Sequence, residues 1–271
     1  MSLFSLDPAV VSEQNPQVLN PALDSNNSKN GFDPNGSTYN DKFVKRFFYK
    51  TQERMNQLID YAQFRLEQIV AGKGRYTDDE PFVVPGGSYK AANNRLFMTD
   101  LRFWAHTRNP YPLLTKEDPT GLQPPQIVYS VRVPRNDASP SPSLNNGALS
   151  TSVRRFLSTF AVRANEDFGY DADSIYGIDY DSSYNNTPGS IMGVTVPLLQ
   201  LGMTGSHEYF MSETIYEHAG STDKTLAYVE GASHGIRTCT ACESYPGEFG
   251  DTQKITYDYV DSWLSATGRF D

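Results

Sequence analysis

His234 is the residue of this chain whose surroundings best suit chemistry. It follows a predicted strand, Thr225 to Val229, and closes the run Glu230-Gly231-Ala232-Ser233-His234. A loop just past a strand can turn an imidazole into a cleft. There a carboxylate can hold one ring nitrogen while the other takes a proton from a hydroxyl or a thiol. The alternative is an ordinary surface-loop histidine, but the strand context favours a catalytic role. No such context surrounds the other histidines, His106, His207 and His218.

Two cysteines lie shortly after that histidine, in Cys239-Thr240-Ala241-Cys242. Their spacing fits a local disulfide, two inert thiols or a redox pair, although the strand and helix of a thioredoxin-like redox site are missing. A metal site shared with His234 would have three ligands, whereas structural zinc has four. We therefore expect no metal here and favour the disulfide or the two thiols.

Apolar spacing predicts the elements in the first two thirds of the chain. A helix is predicted from about Asp41 to Val70, because apolar residues recur there at steps of three and four. A strand is predicted at Gln126 to Val133, and a second helix is predicted to begin near Ser150 or Thr151. Residues 167–187 are rich in Asp, Tyr and Ser and are predicted to be a loop.

The C-terminal part carries the clearest pattern. Val194 to Leu201 predicts a buried strand with Pro197 near its start, because proline cannot donate a ladder hydrogen bond. Ser212 to Ala219 fits a helix, Thr225 to Val229 fits a second strand, and Asp251 caps a closing helix. Strand, helix, strand and helix in this order predict a parallel α/β unit.

This unit resembles the last third of the α/β-hydrolase fold. Members of that superfamily carry a V-P-x-L-x-x-x-G strand, a helix, and a strand that ends in G-A/S-x-H. The first motif is approximated here by Val196-Pro197-Leu198-Leu199 through Gly202, with one residue fewer before the glycine, and the second appears as Gly231-Ala232-Ser233-His234. The resemblance covers about residues 194–264 and implies that His234 is the catalytic histidine of a serine-type hydrolase.

The resemblance also implies a division of the chain. Phe4-Ser5-Leu6-Asp7-Pro8 looks like the sixth strand of that fold, so residues 1–12 are expected to be a strand of the hydrolase core. Residues 13–190 would be a large lid insertion, mostly helical and irregular. Residues 191–271 would be the C-terminal part of the core that carries the histidine loop. The expected fold class is thus α/β, the C-terminal part of an α/β-hydrolase-like parallel sheet.

Two carboxylates are candidates for the acid that would hold His234. The superfamily usually places its acid a few residues beyond the strand that ends here at Gly202, and Glu208 is the first acid available there. Some lipase-like members use an acid after the sixth strand in a Leu-Asp-Pro context, which matches Asp7. An aspartate before proline is also a common turn former. Asp7 and Glu208 are therefore equal candidates.

The nucleophile is where the sequence departs from the superfamily. Its serine lies in a G-x-S-x-G turn. The letters of that motif occur here at Gly231-Ala232-Ser233-His234-Gly235, but there they coincide with the histidine motif. The other approach, Gly86-Gly87-Ser88-Tyr89-Lys90, lacks the second glycine and follows no convincing strand. The expected function is ester or amide hydrolysis by a Ser-His-acid mechanism to which this chain, a truncated or split one, supplies the histidine and the acid. The alternative is a chain without a nucleophile that acts in binding or assembly.

Composition narrows the partners. The chain has 32 acidic and 23 basic residues, for a net charge of −9, and no segregated basic patch, so we expect no nucleic-acid partner. No signal peptide pattern and no apolar run of membrane-spanning length occur in the sequence, which predicts a soluble chain of unknown location.

The expected ligand is a small-molecule substrate, and no cofactor is expected. Aromatic residues in the predicted lid suggest an apolar ester. Strands of a parallel sheet need neighbours on both edges. We therefore expect the sheet to be completed by a second chain, by a missing N-terminal half, or by another copy of this chain.

Overall fold

The computed structural model describes residues 9, 20–25, 27–33, 35–84, 100, 102–103, 105–132, 149–206 and 208–270. Within these ranges the α-helices are α1 (Asp41–Val70), α2 (Val153–Thr159), α3 (Thr187–Ile191), α4 (Tyr209–His218) and α5 (Thr252–Leu264). The strands are β1 (Pro81–Val84), β2 (His106–Tyr111), β3 (Leu113–Leu114), β4 (Gln126–Tyr129), β5 (Leu149–Ser152), β6 (Arg163–Tyr170), β7 (Ile175–Asp179), β8 (Leu198–Met203) and β9 (Lys224–Val229). No helix in the described part of the chain combines the length and apolar character that a bilayer span requires.

The chain divides into two compact units. The first comprises residues 1–101, 134–170 and 175–189, and the second comprises 102–133, 171–174 and 190–271. Residues 13–190, expected to form one lid, are thus shared between both units. Of the strand expected at 1–12, only Ala9 lies within the described residues.

Helix α1 supplies more buried apolar side chains to the first unit than any other described element. The Asn40 side chain accepts a hydrogen bond from the backbone N–H of Phe43 and so caps the helix. The helix runs over Asp41–Val70, which confirms the range predicted from apolar spacing. One face is buried, and its apolar members are Phe43, Phe47, Phe48, Met55, Leu58, Ile59, Ala62 and Ile69.

The prediction of a loop over 167–187 is wrong. Strands β6 and β7 pair antiparallel there, with Ala164 opposite Ile178 and Tyr170 opposite Ile175. Phe168 is buried and contacts Phe48 of α1, with 5.9 Å between the ring centroids. The segment is rich in aspartate, which is uncommon in strands, so its composition indicated a loop. Its tyrosine and phenylalanine residues favour a strand only when a neighbouring face buries them, and composition does not show that burial.

The second unit contains a parallel three-stranded sheet with the order β3-β9-β8. Leu198 lies opposite Lys224 and Met203 lies opposite Val229, so β8 and β9 pair over their full lengths. Helix α4 connects them, and α5 follows. The predicted order of strand, helix, strand and helix is confirmed, and the protein has a mixed α/β architecture. Strand β8 begins only at Leu198, four residues after the start predicted from the sequence.

Strand β3 joins this sheet from within the segment that was expected to be a lid. Leu113 pairs with Tyr228 and Leu114 with Val229, both in parallel. Leu114 is fully buried in a cluster whose other members are Ala227, Val229, Ala232 and Ile255. A two-residue strand carries no periodicity, so sequence analysis did not detect it.

A buried carboxylate anchors helix α4. Glu213 is 3% exposed. It accepts hydrogen bonds from the backbone N–H groups of Arg108 (2.8 Å) and Asn109 (2.9 Å) and from the Tyr111 hydroxyl (3.1 Å). Burial and the nearby Glu213 charge raise the pKa of Tyr111, so this phenol stays protonated and acts as a donor. These bonds fix α4 to β2 and thereby the position of the residue that precedes α4, Glu208.

Candidate functional site

The site lies at the carboxyl ends of β8 and β9, where the loops that follow the two strands are joined by hydrogen bonds. The backbone N–H of Thr204 donates to Val229 O (3.2 Å), and that of Gly205 donates to Ala232 O (2.8 Å). The Gly231 N–H donates to Thr204 Oγ1 at 2.8 Å. Parallel strands end at the same edge of a sheet, so the residues just beyond these loops lie close together.

Glu208 and His234 meet at this edge. The imidazole Nδ1 lies 2.7 Å from Glu208 Oε1. The side chains are 74% exposed for His234 and 30% exposed for Glu208. An ionised carboxylate has no proton to give, so Nδ1 must donate and Nε2 must carry the lone pair of the neutral ring. An imidazole in this tautomer can take up a proton at Nε2.

Helix α4 adds to the electrostatics of the acid. Glu208 is the residue immediately before Tyr209–His218, at the amino-terminal end of the helix. The unpaired N–H groups at a helix N-terminus carry partial positive charge and stabilise a nearby anion. The Glu208 side chain makes no capping hydrogen bond to α4, so the helix acts on this carboxylate through that partial charge alone.

Comparisons of the chain with models of known families, with curated proteins and with solved structures find no match. The chemistry of the site therefore rests on its geometry.

A residue that sequence analysis missed is Ser206. Its side chain is buried, at 2% exposed, and its Oγ donates to Glu208 Oε2 at 2.5 Å. The same Oγ accepts the Glu208 backbone N–H at 3.3 Å. The available signal was a hydroxyl residue two positions before an acid, a spacing that permits local side-chain hydrogen bonds.

Three residues close to His234 have left-handed backbone conformations: Gly231 before it, and Gly235 and Ile236 after it. Gly231 has φ +66°, and a Cβ there would lie 1.9 Å from Cγ of Phe249. Ile236 has φ +65°, which is strained for a β-branched residue. Its side chain packs against the Leu114 cluster, and its carbonyl accepts the Thr252 hydroxyl at 2.8 Å. Packing on both sides thus holds the histidine loop in one conformation.

The two cysteines form a disulfide, Cys239–Cys242, so neither offers a thiol to His234. This was one of the two favoured interpretations of the pair. The Cys239 N–H also donates to Gly231 O at 2.8 Å, which ties the disulfide to the histidine loop. Across the described residues, no three side chains of His, Cys, Asp or Glu form a group that could hold a metal ion.

The remaining candidates from the sequence are placed as follows. Asp7 and Ser88 lie outside the described residues, as does His207. His106 Nδ1 lies 3.0 Å from Thr107 O, and His218 Nδ1 lies 2.8 Å from Thr214 O. Of the candidate pairs, the structure brings together Glu208 and His234.

Glu230, at the end of β9, gives a pH-dependent prediction. Burial, followed by the nearby Glu117 and Glu248, raises the pKa of its carboxyl above the ordinary value for glutamate. The folded chain therefore favours protonated Glu230. Its contribution to stability is fully present below about pH 4, the unfolded pKa range, and is lost as pH rises through the raised pKa.

We therefore expect Glu230→Gln, which mimics the protonated form, to be more stable than the unmodified chain at pH 7. The difference should disappear towards pH 4, and urea unfolding between these values measures it. The exposed Glu67 provides the control, because Glu67→Gln should shift the midpoint equally at both pH values. A Glu230→Gln advantage that grows as the pH falls would contradict the prediction.

Proposed function

We propose that this chain supplies the histidine and the acid of a Ser-His-acid mechanism in an α/β-hydrolase-like enzyme that cleaves esters or amides. The observation that carries the proposal is the 2.7 Å hydrogen bond between His234 Nδ1 and Glu208 Oε1 at the carboxyl ends of two parallel strands. Catalytic groups of open α/β sheets lie at this edge.

In this proposal His234 moves the proton. Its Nε2 accepts the proton of a hydroxyl nucleophile as that oxygen attacks the carbonyl carbon of the substrate, and it then donates the proton to the leaving alcohol or amine. Glu208 keeps Nδ1 protonated and stabilises the imidazolium that forms. The high exposure of the His234 side chain supports this role, because Nε2 must be reachable by substrate and nucleophile.

The hydroxyl comes from outside the Glu208–His234 pair. Ser206 donates its proton to Glu208, and Ser233 Oγ, next to the histidine, donates to Arg237 O at 2.8 Å. The G-x-S-x-G letters at Gly231-Ala232-Ser233-His234-Gly235 are centred on this same Ser233, whose backbone is extended and is followed by the 3-10 turn His234–Ile236 in place of an α-helix. We therefore assign the nucleophile to a second polypeptide or a further segment of the same enzyme.

An activity-based label tests the proposal. A fluorophosphonate, which reacts with activated serines, is added to the tagged chain isolated from its native cells together with whatever binds it. We expect a labelled polypeptide other than the 271-residue chain, and ester hydrolysis that co-purifies with it. Labelling of this chain itself would overturn the assignment of the nucleophile. The absence of both label and hydrolysis would overturn the hydrolase function.

Ser233 does not lie in a strand–turn–helix elbow, which also supports a second candidate, a chain that binds or assembles without catalysis. Under that alternative the contact between His234 and Glu208 is a surface hydrogen bond, which contributes about 0–1 kcal/mol to stability. Replacement of either residue would then leave every activity of the native assembly unchanged.

A further inference from the structure

The carboxylate of Glu208 uses both of its oxygens. Oε1 accepts from His234 Nδ1 at 2.7 Å, and Oε2 accepts from Ser206 Oγ at 2.5 Å. A carboxylate is planar, so a donor that fixes one oxygen also fixes the direction of the other. The position of Oε1, on which the tautomer of His234 depends, is therefore set in part by Ser206.

Ser206 is itself firmly held. Its backbone N–H donates to Met203 O at 3.0 Å, and it directly follows Thr204 and Gly205, which are bonded to the loop after β9. Its side chain is 2% exposed. A hydroxyl shielded from water has few alternative partners, so its hydrogen bond to a charged acceptor is a strong one.

We infer that Ser206 is a positioning residue: its hydroxyl orients Glu208 so that His234 is held with its proton on Nδ1. This inference rests on the proposed function, because the tautomer matters only if Nε2 acts as a base. Ser206 touches neither substrate nor nucleophile in this role. It acts through Glu208.

The test measures the tautomer directly in the full chain labelled with ¹⁵N-histidine. At about pH 9 a histidine of ordinary pKa is neutral, and the ¹⁵N shifts of its two ring nitrogens report which one bears the proton. The His234 signals are identified by their loss in His234→Gln. We expect the Nδ1–H form to dominate in the unmodified chain.

In Ser206→Ala we expect the ratio of Nδ1–H to Nε2–H to fall roughly tenfold, as for loss of one hydrogen bond to a charged group. Ser233→Ala is the matched control. It removes a hydroxyl next to His234 that bonds to Arg237 O and not to Glu208, so the ratio should not change. Ser206→Gly should repeat the result of Ser206→Ala, which separates the lost hydroxyl from the altered packing.

The outcomes distinguish a failure of the role of Ser206 from a failure of the proposed function. If the unmodified chain already contains both tautomers in similar amounts, Glu208 does not hold His234 and the proposed function fails. If the Nδ1–H form dominates equally with and without the Ser206 hydroxyl, the role of Ser206 is overturned while the proposed function stands.

A measurement on the unmodified chain does not require either variant to fold. The Ser206 hydroxyl proton should appear as a slowly exchanging resonance, because it is buried and bonded to a carboxylate. Rapid exchange of that proton with water would also overturn the inference.

Discussion

His234→Ala is expected to lower kcat for ester hydrolysis by the native assembly about 10⁴-fold or more, with a much smaller change in KM. The imidazole is proposed to act only as the proton moves, so its removal destabilises the transition state and leaves substrate binding nearly intact. Steady-state hydrolysis of p-nitrophenyl esters measures both constants. Glu208→Ala should reduce kcat less than His234→Ala, because the base remains and only its orientation is lost.

His218→Ala is the control for this experiment. The Nδ1 of His218 lies 2.8 Å from Thr214 O within its own helix, away from the Glu208 contact. We expect kcat to stay within about twofold of the unmodified assembly, because His218 ends α4 while Glu208 precedes its first residue, which places them about 15 Å apart along the helix. A folded His234→Ala assembly with full activity would remove the hydrolase proposal and favour a binding role.

Gly231→Ala is expected to lower the free energy of unfolding by about 2–6 kcal/mol. The left-handed conformation costs an alanine about 1–3 kcal/mol, and the clash of its Cβ with the buried Phe249 ring adds about 1–3 kcal/mol. Urea unfolding measures the change. Because Gly231 also donates to Thr204 Oγ1, any folded fraction should have a disturbed contact between Glu208 and His234.

Gly268→Ala measures the cost of the left-handed conformation without a clash. Gly268 has φ +79°, but no atom lies within 4 Å of where its Cβ would be, so only the conformational cost of about 1–2 kcal/mol should appear. Adding Phe249→Ala to Gly231→Ala should recover part of the loss, so the double variant is less destabilised than the sum of the single ones. Equal effects of Gly231→Ala and Gly268→Ala would show that the clash with Phe249 is not present.

The structure explains why the motif G-A/S-x-H begins with a glycine, which the local sequence pattern does not explain. In the sequence, Gly231 is the first letter of G-A/S-x-H. In the structure its missing side chain admits Phe249, and its positive φ turns the chain out of β9 towards His234. Neither reason can be inferred from residues 225–234, because Phe249 comes from a different part of the chain.

Local pattern predicted helix α1 over its full length and the strand before His234, because apolar periodicity and caps act over a few residues. Local pattern did not predict the β6–β7 hairpin or β3. Aspartates obscure the hairpin, and β3 has two residues and owes its strand character to its neighbour β9. Pairing between distant segments decides such elements, and composition does not report it.

The sequence by itself determined that a histidine follows a strand of a parallel α/β unit, and it left two carboxylates, Asp7 and Glu208, as equal candidates to hold that histidine. Only the tertiary structure decided that Glu208 contacts His234 and that Ser206 fixes the far oxygen of the same carboxylate. The physical reason is the register of β8 on β9. This register brings together two loops whose contacting residues, Glu208 and His234, are 26 positions apart in the sequence. A local sequence pattern cannot predict a contact across that separation.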